Sequence, residues 1–80
     1  SLTVVEGRIM QQLMKNAGHV VTHTRLAEAV WGDDYNDSLG TVESLRVYIR
    51  YLRRKLEADS SKPRLILTKF GVGYSLAKPG

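Results

Sequence analysis

Cysteine is absent from these 80 residues, which excludes disulfides and thiolate metal sites and suits a reducing compartment. The two histidines, His19 and His23, have no acid at ligand spacing and straddle a strand–helix junction, so no metal site is expected. Asp33, Asp34 and Asp37 lack the ligand order, central Gly and terminal Glu of an EF-hand, and read as a solvated acidic loop. No nucleophile–base pairing and no phosphate-cradling Gly loop stands out, so neither catalytic residues nor a cofactor are expected. No apolar run approaches a membrane span. Repeats and low-complexity tracts are lacking as well. With 42% hydrophobic and 25% charged residues, the chain reads as one folded domain spanning 1–80, with a modest core.

What is present is charge of one sign in one place. The net charge is +4, and residues 41–56 carry all of it: five cations between 46 and 55 against Glu43 alone. Val42, Leu45, Ile49, Leu52 and Leu56 recur at three- and four-residue steps, one apolar stripe of a helix expected over 41–58. At about 100° per residue the opposite side carries Glu43, Val47, Arg50, Tyr51 and Arg54. Arg46 and Arg53 fall on one flank, Tyr48 and Lys55 on the other. An ordinary solvated face mixes Glu with Lys to gain i,i+4 pairs. Here like charges are left to repel, a footprint suited to an anionic polymer.

The remaining elements follow from caps and β-branched runs. Thr3 with Glu6 forms a capping-box pattern opening a first helix, with Val5, Ile9, Leu13 and Met14 as its buried stripe. Gly7 interrupts that helix at a cost of ~1 kcal/mol and is expected to leave a core-facing position bare. Asn16-Ala17-Gly18 ends it. His19 to Thr22 reads as a brief strand, and Thr22 caps a second helix from about His23 to Trp31, with Leu26, Ala27, Val30 and Trp31 inward. Asp59 to Pro63 is a linker. Leu65 to Thr68 and Tyr74 to Leu76 form a hairpin around Lys69-Phe70-Gly71-Val72-Gly73, whose glycines permit a tight turn with positive φ. A lone hairpin is marginal, so Val20-Val21 is expected to add a third strand. The fold class is therefore α+β and mainly helical: three helices plus a small antiparallel sheet, a helix-turn-helix with a C-terminal wing over 64–77.

Several segments carry a resemblance. Leu2-Thr3 with Glu6, Gly18-x-Val20-Val21-Thr22, Val30-Trp31-Gly32, Val47-x-Ile49-Arg50-x-Leu52-Arg53-x-Lys55-Leu56, Pro63-Arg64-Leu65-Ile66 with Thr68, and Gly71-Val72-Gly73-Tyr74 occur in this order across residues 2–76. Together they are similar to the winged-helix output domain of OmpR/PhoB-type response regulators. Leu45 to Ile49 also looks like the potassium-transport (Kdp) branch. The resemblance implies sequence-specific binding of double-stranded DNA in transcription regulation, downstream of a two-component phosphorelay. It puts the long helix in the major groove, with Val47, Arg50, Tyr51 and Arg54 at base edges and Arg46, Arg53 and Lys55 at phosphates. It puts the wing at the minor groove, with Thr68, Gly71 and Tyr74 near the backbone; apart from the resemblance, the acid-free tip beside the cationic helix is expected to touch DNA too, Lys69 supplying the charge and Phe70 an apolar contact to sugars. The resemblance also implies an RNA polymerase contact through loop 32–40, head-to-tail dimers on direct repeats, a cytoplasmic location, and a sensor histidine kinase acting on a receiver domain. Three departures stand out. The family's N-terminal four-stranded sheet is missing, as in a fragment without its receiver; Gly7 replaces an aromatic; Phe70 stands where many members place Arg.

Other readings make different demands. A winged helix used for protein–protein assembly calls for an apolar outer face, and Val47 is the only aliphatic residue there. Single-stranded RNA binding calls for several sheet aromatics, and the hairpin offers Phe70 and Tyr74 alone. Arg50 and Arg54, one turn apart, suit either guanine edges or phosphates.

Overall fold

The chain enters its first helix through a closed capping box. Thr3 Oγ1 accepts from the Glu6 N–H at 3.2 Å, and the Glu6 carboxylate accepts from the Thr3 N–H at 2.8 Å. Two of the donors that a helix start leaves unpaired are thereby satisfied. In this computed structural model, which describes residues 1–32 and 39–78, α1 spans Val4–Lys15 and β1 spans Val21–Thr22. Thr22 accepts from the Arg25 N–H and caps α2, His23–Trp31. Helix α3 covers Leu39–Leu56, followed by β2, Ile66–Lys69, and β3, Gly73–Leu76. The sheet runs β1-β3-β2 and is antiparallel throughout. Helix α2 and helix α3 form the helix-turn-helix and the β2–β3 hairpin is the wing, so the architecture is the expected winged helix.

Ile9 and Leu13 from α1, Leu26, Ala27 and Val30 from α2, and Leu45, Ile49 and Leu52 from α3 meet Val21, Ile66 and Tyr74 of the sheet in one core. Each large aliphatic side chain buried there contributes about 1.5–3 kcal/mol. The expected stripe of α3 is buried through Leu52, but it stops there: Val42 is half-buried and Leu56 is exposed. Helix α3 starts and ends two residues before the expected 41–58. Its end is set by Glu57, whose carboxylate turns back to accept the N–H groups of Arg64, Leu65 and Ile66 at 2.8–3.0 Å. Met14, expected inward, is exposed, since Leu13 already occupies the inner face of the last turn.

The glycines divide by physical role. Gly71 has φ +76° at the hairpin turn, closed by the Val72 N–H donating to Lys69 O at 2.9 Å. Gly73 was expected to share that positive φ but does not. A Cβ there would collide with the Val21 carbonyl oxygen and with Thr22 Cα, so Gly73 is what lets β1 close against β3. Gly7 proves not to leave a core position bare: a Cβ built on it meets nothing within 4 Å.

Two carboxylates hold the chain's turns. Glu6, buried, also accepts from Lys55 Nζ at 2.7 Å, which joins the start of α1 to the end of α3. That hydrogen bond first, then the Thr3 N–H, keep its carboxyl below the usual range although burial opposes them. For Glu57, burial pushes upward, yet the three N–H donors and the nearby Arg53 charge outweigh it and the net shift is downward.

Two outcomes follow. Leu52→Ala removes a fully buried side chain and should cost about 2–5 kcal/mol, a large share of a small domain's stability; an unchanged Tm would refute the packing. Because the Glu6 carboxyl titrates lower folded than unfolded, its contribution is complete above the ordinary Glu value of about 4.3 and lost as pH falls through the folded value. The Tm deficit of Glu6→Gln relative to wild type should therefore shrink between about pH 5 and pH 2. A deficit constant over that range would mean the charge is not what stabilises the junction.

Candidate nucleic-acid interface

Packing of Leu45, Ile49 and Leu52 inward leaves the other side of α3 no choice but solvent. Arg46, Arg50, Tyr51 and Arg54 are exposed on it, and Val47 is half-buried between them. Tyr51 meets Tyr48 edge to face at 6.5 Å, which anchors it on a ring that packs on the core. The only acid of this helix, Glu43, lies 3.4 Å from Arg46, with both side chains more than half exposed. Such a pair is worth about 0–1 kcal/mol and leaves Arg46 available to another anion.

The two flanks meet different elements, and this changes the role of their cations. Lys55 was expected at a phosphate. Its ammonium instead donates to Glu6 and to the Ser1 carbonyl at 3.2 Å, on the side of α1, so its charge is already matched. Arg53 points the other way, into the wing. Its Nε and Nη2 donate to Ile66 O at 3.2 and 2.8 Å, and Nη2 also donates to Thr68 Oγ1 at 2.8 Å. A guanidinium carries five N–H donors, so the two on Nη1 lie outside these bonds. Arg53 therefore fixes the wing to α3 before it meets any ligand. Thr68, expected near the backbone of a ligand, has its hydroxyl oxygen turned to Arg53.

The wing separates similarly into anchored and free residues. Tyr74, another expected contact, is 4% exposed and belongs to the core, with His23 edge-on at 5.7 Å and 78°. Lys69 and Gly71 are exposed, and Phe70 at the tip is 92% exposed. Between α3, the start of α2 and the wing lies an open cleft of about 370 Å³, lined by His23, Arg46, Arg53, Thr68, Lys69, Phe70, Gly71 and Tyr74. The lining holds three cations and no carboxylate. His23 is the member that sequence reasoning missed. Nothing in the local pattern marks it, because it reaches the cleft only when β3 pairs with β1, the strand that leads into α2.

The geometry agrees with what comparison with known proteins finds. The model of the family described as transcriptional regulatory protein, C terminal, matches residues 1–76. The response regulator MprA of Mycobacterium avium is 47% identical over 76 residues, covering 95% of this chain and 32% of that protein. MprA of Mycobacterium sp. strain KMS is 49% identical, with 95% and 31% covered. The chain thus spans about a third of the length of the curated relatives it matches. Among solved structures, the response regulator DrrB, an OmpR/PhoB homologue of Thermotoga maritima, superposes with a TM-score of 0.81 at 33% identity, covering 98% of this chain and 34% of that one. The DNA-binding domain of Klebsiella pneumoniae RstA, solved in complex with the RstA box, gives 0.80 at 26% identity, covering 96% and 73%. With the family model matching nearly the whole chain, this protein belongs to the transcriptional regulatory protein C-terminal family, and its winged helix is that of the OmpR/PhoB-type response regulators.

Proposed function

We propose that this domain binds double-stranded DNA sequence-specifically to regulate transcription, as the output module of a two-component response regulator. The observation that carries the reading is the acid-poor cationic surface formed jointly by the outer face of α3, the adjoining cleft and the wing. Duplex DNA carries one negative charge per about 1.7 Å of axis, and neutralising its phosphates releases counterions. Helix α3 enters the major groove in this reading. Arg50 and Arg54 are directed to guanine edges or phosphates, Val47 and Tyr51 to base edges, and Arg46 and the remaining Arg53 donors to phosphates. Lys69, Phe70 and Gly71 meet the backbone at the minor groove, while Thr68 and Tyr74 support them from behind. Lys55 acts through Glu6 on the fold and drops out of the contact set. The domain performs no catalytic step.

Further partners follow from the family rather than from contacts within this chain. Head-to-tail pairing on direct repeats, a receiver domain addressed by a sensor histidine kinase, and a cytoplasmic location all belong to the proposal. Among the described residues no helix is long and apolar enough to cross a membrane. The RNA polymerase contact through 32–40 also belongs to it; residues 33–38 lie outside those described. The Kdp likeness of residues 45–49 remains a likeness of that segment. Use as a protein–protein module would require an apolar face on α3, where Arg46, Arg50 and Arg54 are exposed instead.

Arg50→Ala should cost about 1–3 kcal/mol on a cognate duplex and relax preference at one base pair. Arg53→Ala should weaken every sequence alike and also lower the Tm, because the tie to Ile66 and Thr68 goes with it. Arg53→Lys, which keeps the charge without the fork, should recover little of either. A changed sequence preference in Arg53→Ala would show that Arg53 reads bases.

The wing tip separates cleanly from stability, since Lys69 and Phe70 are both exposed. Lys69→Ala and Phe70→Ala are each expected to reduce DNA affinity and shorten the footprint on the wing side, with an unmoved Tm. Full affinity in the double variant would remove the wing from the interface.

A further inference from the structure

His23 is the first residue of α2, at the start of the helix-turn-helix. Its backbone N–H donates to Val72 O at 3.1 Å, which pins α2 to the wing just beyond the turn. Its half-buried ring is held edge-on by Tyr74 and lines the cationic cleft. The imidazole is thus oriented by the fold on one side and open to the cleft on the other. Every charged group lining that cleft is a cation: Arg46 and Arg53 from α3, Lys69 from the wing. Thr68 and Tyr74 add neutral hydroxyls, and Glu43 is held on Arg46 outside the lining.

We propose that His23 is a pH-dependent phosphate ligand: a DNA backbone phosphate seats in the cleft between wing and α3, and protonated His23 donates to it. The inference rests on the duplex-DNA reading above. A seated phosphate places a negative charge against the ring and favours its protonated form. Binding then draws a proton onto the imidazole. By linkage, proton uptake on binding means that affinity rises as pH falls. Imidazole is the side chain that changes charge between about pH 5 and 8, whereas the arginines and lysine around it and the DNA phosphates keep theirs. The domain would then hold DNA more tightly in a mildly acidified cell.

The test is anisotropy titration of a mixed-sequence duplex of about 20 base pairs, since a phosphate contact does not depend on sequence. Wild type should bind about three- to tenfold more tightly at pH 5.5 than at pH 7.5. The slope of log K against log salt should be steeper by about one at the lower pH. His23→Gln should bind at the weaker level at both pH values. His23→Arg, with a fixed charge, should bind at the tighter level at both, which a purely structural role for the ring would not produce. His19→Gln, altering an exposed histidine outside the cleft, should keep the wild-type dependence, and melting curves at each pH check that every variant is folded. A wild-type affinity independent of pH, or a dependence that survives His23→Gln, overturns the proposal while leaving the DNA reading intact. No duplex binding by folded wild type at either pH overturns both.

Discussion

The cost of burying a charge governs this small protein. Helix α3 must surrender one side to the core, and Leu45, Ile49 and Leu52 supply it without a polar atom. Cations on the same helix are then forced outward or sideways, since an unpaired buried ammonium or guanidinium costs far more than the packing returns. The functional surface and the core are in this sense one decision. Moving the apolar stripe by one residue would rotate Arg50 and Arg54 away from the exposed side.

The flanks show how that constraint is met where the helix is neither buried nor free. Lys55 and Arg53 stand two residues apart and carry the same charge. One is matched by a buried carboxylate that also caps α1; the other spends three hydrogen bonds on the wing. A point charge on a flexible stem reaches both the Glu6 carboxylate and the Ser1 carbonyl, and the planar fork of Arg53 suits Ile66 O and Thr68 Oγ1, set side by side. The wing's placement relative to α3 thus depends on Arg53, on the Val72–His23 backbone bond and on Gly73. None of these is an apolar contact. A surface shared between a helix and a hairpin gains from directional bonds, which fix position more sharply than area burial does.

Much of the architecture was legible in the sequence because its signals are local. The capping box of Thr3 and Glu6, the Thr22 cap, the period of α3 and the glycine-bearing hairpin each act within a few residues. Their order and spacing across the chain made the winged helix and its family recognisable. Errors arose where a periodic pattern outran the neighbours available to cover it, as at Met14 and Leu56, or where a glycine served a neighbouring strand rather than its own turn, as at Gly73.

What the sequence by itself determined is the amphipathic division of α3, and with it the outward facing of Glu43, Arg50, Tyr51 and Arg54. Helical phase alone imposes that, whatever the helix packs on. Tertiary structure alone decided which cations remain for a ligand and which polar residues join them. Lys55 was paired with Glu6, 49 positions away, Tyr74 was drawn into the core, and His23 was brought to the cleft that Arg46 and Lys69 line. Such pairings depend on chain reversals and strand order, and a one-dimensional pattern of polarity carries no distance between residues so far apart.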